Sequence, residues 1–300
     1  MPEKPASDGL DSACAHRLSP CTHARYAAVM TVARRPLARA LTIAGSDPSG
    51  GAGLQADLKT FHQHGVYGAA AVTLVTVQNT VGVTRVEPLQ PDLVRAQVDA
   101  VLFDVEPSAV KTGALGSAAV IEAVAAIAFA APLVVDPVMI SKHGHSLMAP
   151  EARAVLVAKL VPVAALVTPN AHEAAAITGA PVETLADAES AAKAIAALGA
   201  RAVLVKMGHL AGPEAIDVLF HAGRVRHFAA PHVASRHVHG SGCSYSAAIT
   251  AGLARGLPLE DAIANAKAWM SLAIATPPAV GGGIGPVDHF ASTSIASGGA

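Results

Sequence analysis

The chain has 300 residues, and its 21 Lys and Arg against 22 Asp and Glu give a formal net charge of −1. This balance provides no basic surface for nucleic acid or for an anionic membrane. Apolar residues make up 52% of the chain, which is too apolar for a disordered protein. Three cysteines (Cys14, Cys21 and Cys243) are too few for a disulfide scaffold, and no apolar run reaches the roughly 18 residues of a membrane span. We therefore expect a cytoplasmic α/β protein without nucleic-acid or membrane partners.

Residues 1–39 mix Pro, Ser, His and Arg without the apolar period of a helix or strand, so we expect a mostly disordered N-terminal extension. Two Cys-x-His pairs occur in it, Cys14 with His16 and Cys21 with His23. Their spacing matches no common zinc finger, so we predict no zinc site there.

From residue 40 onward, short apolar strands alternate with helical segments. The predicted strands are 40–44, 68–77, 109–111, 133–136, 165–168 and 202–206. The predicted helices are 54–64, 91–103, 116–130, 150–160, 171–178, 187–198, 242–255 and 259–276. This alternation is typical of βαβ crossovers and predicts a mainly parallel sheet between two layers of helices. Residues 216–229, which turn at His221–Gly223, indicate a hairpin at one edge of the sheet.

Polar residues interrupt this apolar chain where the predicted strands end. They are Asp47, Gln78, Asn79, Lys111, Asp136, Asn170 and Lys206. Open α/β sheets bind ligands at the carboxyl ends of their strands, and these ends meet at one edge. The sequence therefore predicts a site along that edge.

The segment His239-Gly-Ser-Gly-Cys243 runs directly into a predicted helix. Gly240 and Gly242 allow left-handed backbone, so that N–H groups can converge on one point. A helix start adds free N–H donors and a partial positive charge, which together suit an anion. The same position favours the thiolate of Cys243 over its thiol. A helix-capping turn with a buried, inert cysteine explains the segment equally well.

A second glycine-rich loop, Gly45–Gly53, follows the first strand. It is neither a P-loop nor a G-x-G-x-x-G motif, but its glycines permit close backbone approach to a small or flat ligand. Asp57 follows one helical turn later and faces the same region. For Asp57, an ordinary solvated helix residue is the alternative interpretation.

Asn170 and Glu173 have the spacing of a capping box at a helix start. The functional alternative is that they hold magnesium-bound water beside nucleotide phosphates. Lys206 ends an apolar strand, where an unpaired charge is costly, and a bound phosphate would supply its partner. Asp136 also needs a counter-charge, for which Mg²⁺ is one candidate.

Together these segments resemble the hydroxymethylpyrimidine and phosphomethylpyrimidine kinases of thiamine biosynthesis, within the ribokinase-like superfamily. The matching segments are Ala40–Phe61, Gly65–Gly68, Val77–Val83, Val134–Met139, Thr168–Asn170 with Glu173, His239–Cys243 and Gly283–Phe290. The resemblance implies a ribokinase-like three-layer sandwich over residues 40–290, with a small edge hairpin, after the extension of residues 1–39 and before a flexible tail of residues 291–300.

The resemblance also implies an activity. A phosphoryl group would pass from ATP, with Mg²⁺, to the hydroxymethyl group of 4-amino-5-hydroxymethyl-2-methylpyrimidine, and a second would pass onto the new phosphate. Its partners would be this pyrimidine alcohol, its phosphate and ATP, and the enzyme would be a homodimer.

The site residues follow by the same resemblance. A Cys243 thiolate would accept the hydroxymethyl proton. Backbone amides and a lysine would hold the moving phosphoryl group. The catalytic residues would thus be Cys243, Gly240, Ser241, Gly242 and Lys206. Gln78 would bond to the aminopyrimidine edge in a substrate pocket formed by Gln78, Gly45, Ala52, Asp57, Thr76 and Ala114. The ATP-binding residues would be Asn170, Glu173, Lys206 and Gly242. Mg²⁺ would bind Asp136 and Glu173, directly or through water.

Four positions depart from the family pattern: Ala114 replaces a methionine, Met207 a glycine, Arg236-His-Val-His239 a Lys-Asn-Thr-His, and Tyr245 a smaller or apolar residue. These changes bear on substrate selectivity. Two alternatives to the pyrimidine kinase therefore stay open. One is a pyridoxal or pyridoxine kinase of the same fold, and the other is a pyrimidine-binding protein without catalysis.

Overall fold

The computed structural model describes residues 37–141, 144–208 and 212–292. Most of the expected N-terminal extension, including both Cys-x-His pairs, lies outside these ranges, as does the tail from residue 293. Arg39 belongs to the first strand, so the regular structure begins one residue earlier than expected.

The first half of the chain begins with a strand, a glycine-rich loop and a helix. Its strands are β1 (Arg39–Ser46), β2 (Tyr67–Gln78), β3 (Val83–Pro88), β4 (Ala109–Thr112) and β5 (Leu133–Val135). Its helices are α1 (Gly53–Gln63), α2 (Pro91–Asp104) and α3 (Ala118–Ala125). α2 starts with proline, whose missing N–H has no helical partner at that position.

The second half continues the alternation and ends in two helices. Its strands are β6 (Leu166–Val167), β7 (Ala202–Lys206), β8 (Glu214–His221) and β9 (Arg224–Pro231). Its helices are α4 (Pro150–Val155, followed by a π-helical turn at Leu156–Leu160), α5 (Ala171–Thr178), α6 (Leu185–Ala197), α7 (Ser241–Ala254) and α8 (Leu259–Ala275).

The described strands form one sheet of nine, in the order β3-β2-β1-β4-β5-β6-β7-β8-β9. Six neighbouring strands are parallel to one another: β2, β1, β4, β5, β6 and β7. At one edge β3 is antiparallel to β2, and at the other β8 is antiparallel to β7 and forms the predicted hairpin with β9. The predicted fold class is therefore confirmed. The sequence analysis did not predict β3, a half-exposed edge strand in which Arg85 and Glu87 interrupt the apolar pattern.

Successive strand residues face opposite layers of helices. Val203 and Val205 belong to the core between the sheet and helices α2 to α6, and Leu204 belongs to the core that the other face forms with α7 and α8. Both faces are thus covered, and the carboxyl ends of the parallel strands are the edge left open for a site. None of the helices in the described ranges combines the length and the apolar character that a membrane span requires.

Candidate active site

A cavity of about 1200 Å³ lies at the carboxyl ends of the parallel strands. Six of the seven polar residues predicted at that edge line it: Asp47, Gln78, Lys111, Asp136, Asn170 and Lys206. The seventh, Asn79, is exposed, and its side chain accepts hydrogen bonds from the amides of Val81 and Gly82 in the turn between β2 and β3. Asn79 therefore shapes the turn rather than the cavity wall.

The start of α7 forms one wall of the cavity, where Gly240, Ser241, Gly242 and Cys243 lie in a row. Gly240 has a φ of +73°, and a Cβ there would overlap the carbonyl oxygen of Gly51. The Ser241 amide, expected among the donors to the phosphoryl group, instead donates to the Val238 carbonyl at 3.2 Å. The first-turn amides of Gly242 and Cys243 have no carbonyl within the helix to receive them. This wall can therefore hold an anion, as the sequence predicts.

Cys243 differs from expectation. Burial raises the pKa of its thiol to about 12, although the charge of Lys111 acts in the opposite direction. The carboxylates of Asp57 and Asp136 raise it further. The predicted preference for the thiolate is therefore wrong, because burial of the thiol outweighs the opposing charge of Lys111.

Lys206 and Asp136 form an ion pair at the centre of the cavity floor, with Lys206 Nζ 2.9 Å from Asp136 Oδ1. Thr168 and Ser246 donate hydroxyl hydrogen bonds to the same carboxylate at 3.2 and 3.1 Å. Burial alone would lower the pKa of Lys206, but the negative charges of Asp136 and Glu173 outweigh it and raise the pKa. Lys206 therefore presents a permanent positive charge to the cavity.

Asn170 and Glu173 form the capping box at the start of α5. The Asn170 side chain accepts from the Glu173 amide at 2.9 Å, and the Glu173 carboxylate accepts from the Asn170 amide at 2.8 Å. Both residues also line the cavity, so the structural and functional interpretations apply together. Burial raises the pKa of Glu173 to about 7, against the lowering effect of Lys206. This carboxylate lacks enough positive charge around it, a condition that a cation would relieve.

Asp57 lies in the interior rather than in the cavity wall. Its Oδ2 accepts from Lys111 Nζ at 2.9 Å and from the Thr42 hydroxyl at 2.6 Å, and all three side chains are fully buried. Asp57 is therefore neither a solvated helix residue nor in contact with the cavity. Burial alone would lower the pKa of Lys111, but the charge of Asp57 outweighs it and raises the pKa.

The opposite end of the cavity is lined by Gly45, Ala52, Thr76, Gln78 and Ala114, all expected in the substrate pocket. A Cβ at Gly45 would lie 2.5 Å from the Leu74 side chain, so glycine is required for this close packing. Ala114 has a smaller side chain than the methionine that the resemblance leads us to expect at this position. The structure thus places an apolar slot with one amide side chain beside the wall formed by residues 240–243.

Asp47 and His239 also line this end of the cavity, although neither belongs to the expected substrate pocket. His239 Nε2 lies 2.9 Å from Asp47 Oδ2 and 3.3 Å from Gln78 Nε2. Asp47 and His239 are 192 positions apart, so no local spacing signals their contact. Hydrogen bonds from His239 and Ser49 lower the pKa of Asp47 although burial alone would raise it.

The departures from the family pattern also have defined places. Met207 is buried, and its amide donates to Asp217, which pairs with Lys267 at 2.7 Å. Tyr245 is buried beside the cavity, and burial raises the pKa of its hydroxyl well above the usual value. Arg236 donates to His237 at an exposed position. Of the departing positions, Ala114, Val238 and Tyr245 line the cavity.

An α/β sheet whose open edge carries a helix-start amide wall, a charged lysine and a slot with a single amide side chain defines a small-molecule kinase. The sequence matches the phosphomethylpyrimidine kinase family over residues 47–288. The chain belongs to this family, which confirms the predicted family and class of enzyme.

Among curated relatives, the hydroxymethylpyrimidine/phosphomethylpyrimidine kinase of Rhizobium meliloti is 48% identical over 259 residues, 84% of this chain and 96% of the relative. The enzyme of that name from Streptomyces coelicolor is 45% identical over 83% of this chain and 93% of its own length. The phosphomethylpyrimidine kinase of Clostridium difficile has a solved structure that is 41% identical, with a TM-score of 0.69 over 78% of this chain and 97% of its own.

Pyridoxal kinases are also similar in structure. The pyridoxal kinase of Staphylococcus aureus, solved in complex with ADP, is 35% identical with a TM-score of 0.80 over 87% of this chain and 96% of its own. The comparisons therefore include solved structures of both enzyme types.

Proposed function

We propose that this protein transfers the γ-phosphoryl group of ATP to the hydroxymethyl oxygen of 4-amino-5-hydroxymethyl-2-methylpyrimidine, and then a second phosphoryl group to the product, in thiamine biosynthesis. The observation that carries this proposal is the single amide side chain of Gln78 in an apolar slot beside the amide wall of residues 240–243. An amide offers one acceptor and one donor, which complement the ring nitrogen and amino group of an aminopyrimidine.

The chain's own residues divide the work along the cavity. Lys206 neutralises phosphate charge, and the amides of Gly242 and Cys243 bind the moving phosphoryl group, with preorganised donors that need no rearrangement. Asn170 and Glu173 face the nucleotide. Gln78, Thr76, Gly45, Ala52 and Ala114 hold the pyrimidine, while Asp57 acts indirectly by pairing with Lys111.

The acidic groups fit a Mg²⁺ ion that is held largely by ATP phosphates. Glu173 is a buried carboxylate with insufficient counter-charge, whereas Asp136 is already paired with Lys206. The described residues contain no cluster of three or more His, Cys, Asp or Glu side chains able to hold a metal alone. Glu173 and Asp136 would therefore hold the ion, directly or through water, and the ion would screen the phosphate charges.

Cys243 remains the group proposed to face the hydroxymethyl oxygen. Because burial favours its thiol, a proton-acceptor role requires the thiolate to form when the substrates bind. The positive charge of Lys111 opposes the effect of burial on the pKa of Cys243. Lys111 would therefore stabilise the thiolate. The second acceptor is a phosphate oxygen that is already ionised, so the second transfer needs little base.

Further expectations from the resemblance remain proposals. We propose that residues 40–290 act as a single kinase domain. We also propose that the enzyme works in the cytoplasm as a homodimer. Sedimentation of the purified protein tests the dimer, and monomers at micromolar concentration contradict it.

The function is tested by a coupled assay for ADP release, with ATP, Mg²⁺ and the pyrimidine alcohol. We expect turnover that depends on the alcohol and continues into a second equivalent of ADP. Binding of the alcohol without any ADP release contradicts the proposal and favours a binding protein without catalysis. The S. aureus neighbour makes pyridoxal the competing substrate, and a higher kcat/KM for pyridoxal contradicts the choice of pyrimidine.

A further inference from the structure

The carboxylate of Asp47 is surrounded by hydrogen-bond donors. Oδ1 accepts from the amide and hydroxyl of Ser49 at 2.9 and 2.7 Å, and Oδ2 accepts from the Ala52 amide at 2.8 Å. These contacts and His239 lower its pKa, so Asp47 is ionised and can only accept hydrogen bonds. His239 Nε2, 2.9 Å from Oδ2, must therefore carry a hydrogen, whether the ring is neutral or charged.

The His239 ring has little freedom to turn. It is buried, and a Cβ at Gly51 would lie 2.5 Å from His239 Cδ2, so the Gly51 backbone packs directly against the ring. The His239 amide donates to the carbonyl of Gly285 at 3.0 Å, and the His239 carbonyl accepts from Val287 at 3.4 Å. The N–H of His239 is thus held at one point, directed towards Asp47 and Gln78.

This fixed N–H decides how the Gln78 amide lies. Gln78 Nε2 lies 3.3 Å from His239 Nε2. Both nitrogens carry hydrogen, so two donors face each other and neither can accept a hydrogen bond from the other. At the other end, one Thr76 hydroxyl hydrogen is shared between the Ser46 carbonyl at 3.0 Å and Gln78 Oε1 at 3.3 Å. The oxygen and nitrogen of an amide have nearly the same shape, and their positions are decided by hydrogen bonding.

Turning the amide by a half-rotation removes the contact between two donors. The single hydrogen of His239 Nε2 is then shared between Asp47 Oδ2, at 2.9 Å, and Gln78 Oε1, at 3.3 Å. Gln78 Nε2 donates to Thr76 Oγ1, and the Thr76 hydroxyl donates to Ser46 alone. Each amide atom keeps one hydrogen-bonding position for a ligand: a lone pair on the His239 side and an N–H on the Thr76 side.

We propose that Asp47 and His239 are positioning residues that lock the Gln78 amide in this orientation, and so make the site specific for a ring with a nitrogen acceptor next to an amino donor. An oxo ring with the same shape presents the reverse pattern, an N–H beside a carbonyl oxygen, and the locked amide rejects it. This inference rests on the proposed function, because it assigns how that site selects its substrate.

The test measures kcat/KM for the 4-amino alcohol and for its 4-oxo isostere, 5-hydroxymethyl-2-methylpyrimidin-4-one, in wild type and in His239→Ala. Their ratio does not depend on the fraction of active protein, so partial misfolding leaves it unchanged. We expect wild type to prefer the amino compound by about 100-fold or more. In His239→Ala the amide can turn, and the preference falls below about 10-fold.

Two further variants complete the test. His227→Ala removes an exposed histidine that pairs with Glu189 outside the cavity, and its ratio should equal that of wild type. Asp47→Asn removes the negative charge that accepts the hydrogen of His239 Nε2, and it keeps the shape of the side chain. Like His239→Ala, it should lower the ratio of kcat/KM for the amino compound to kcat/KM for the oxo compound.

The inference is overturned if His239→Ala or Asp47→Asn is active and still prefers the 4-amino compound as strongly as wild type does. His239 would then be a packing residue. A wild-type enzyme that does not phosphorylate the amino compound contradicts the proposed function instead, so the two failures are distinguishable.

Discussion

Lys206 at the end of β7 donates to Asp136 just beyond β5, across the intervening β6, with 2.9 Å between Nζ and Oδ1. The pair links the ends of β5 and β7 at the edge of the sheet where the cavity lies. Ser246 of α7 donates to the other oxygen of the same carboxylate. The position of the lysine is therefore set by two strands and the helix that forms the amide wall.

Replacing Lys206 with methionine should lower kcat/KM for ATP by about 100-fold to 1000-fold, because preorganised charge at a phosphoryl group contributes on this scale. Steady-state kinetics at saturating alcohol measure the loss. Lys193→Met, an exposed change in α6, is the control and should retain wild-type kinetics. A loss below about 5-fold in Lys206→Met would remove the proposed phosphate role.

Gly240→Ala should reduce activity by about 100-fold or more, because its Cβ meets the Gly51 carbonyl and a displacement of about 1 Å in the amide wall is enough for such a loss. Gly256 provides a matched control: its φ is +81°, but a Cβ there meets no atom within 4 Å. Gly256→Ala should cost about 1 kcal/mol of stability and leave kcat unchanged. Equal kinetics in the two variants would contradict the importance of the close contact.

The raised pKa of Cys243 predicts its reactivity. With a pKa of about 12, the thiolate fraction rises tenfold per pH unit throughout the range from about 7 to 10. The rate of alkylation by iodoacetamide should rise in proportion in the free enzyme, measured in a background of Cys14→Ser and Cys21→Ser. A plateau below about pH 9 would indicate a thiolate stabilised without substrates.

Cys243→Ala separates the two phosphoryl transfers. We expect the first transfer to slow by about 100-fold and the second by less than about 5-fold, because only the first acceptor must lose a proton. Single-turnover experiments, started from the alcohol or from its monophosphate, measure each step. Equal losses in both steps would leave Cys243 a packing role alone.

Removing one partner of the buried Asp57–Lys111 pair should destabilise the fold. Lys111→Met should lower the free energy of unfolding by about 3 kcal/mol or more, since it leaves a buried carboxylate unpaired, and the double variant Asp57→Leu/Lys111→Met should recover much of this. Arg95→Met, which breaks an exposed pair with Asp99, should change stability by less than about 1 kcal/mol. Urea unfolding measures all three, and a double variant no more stable than Lys111→Met would contradict the pairing.

Much of the fold could be predicted from the sequence, because apolar strands such as 202–206 are bounded by residues that stop them. The hairpin of β8 and β9 was predicted from its turn at residues 221–223. β3 was not, since an edge strand half exposed to water has no continuous apolar run.

The site was predicted less completely. The sequence placed Gln78, Asn170 and Lys206 at one edge because their positions follow strand ends. It could not reveal that Asp57 and Lys111, 54 positions apart, bury their charges together, or that Asp47 meets His239. It also misjudged Cys243, since a helix start is visible in the sequence while the depth of burial is not.

The central claim is that the slot at Gln78 and the amide wall of residues 240–243 together phosphorylate an aminopyrimidine alcohol. Competition in one vessel tests it most directly: equal concentrations of 4-amino-5-hydroxymethyl-2-methylpyrimidine and pyridoxal, with ATP and Mg²⁺, followed by mass spectrometry. We predict that the pyrimidine monophosphate appears first and its diphosphate next, while most of the pyridoxal remains. Faster formation of pyridoxal phosphate, or no phosphorylated pyrimidine, would contradict the account.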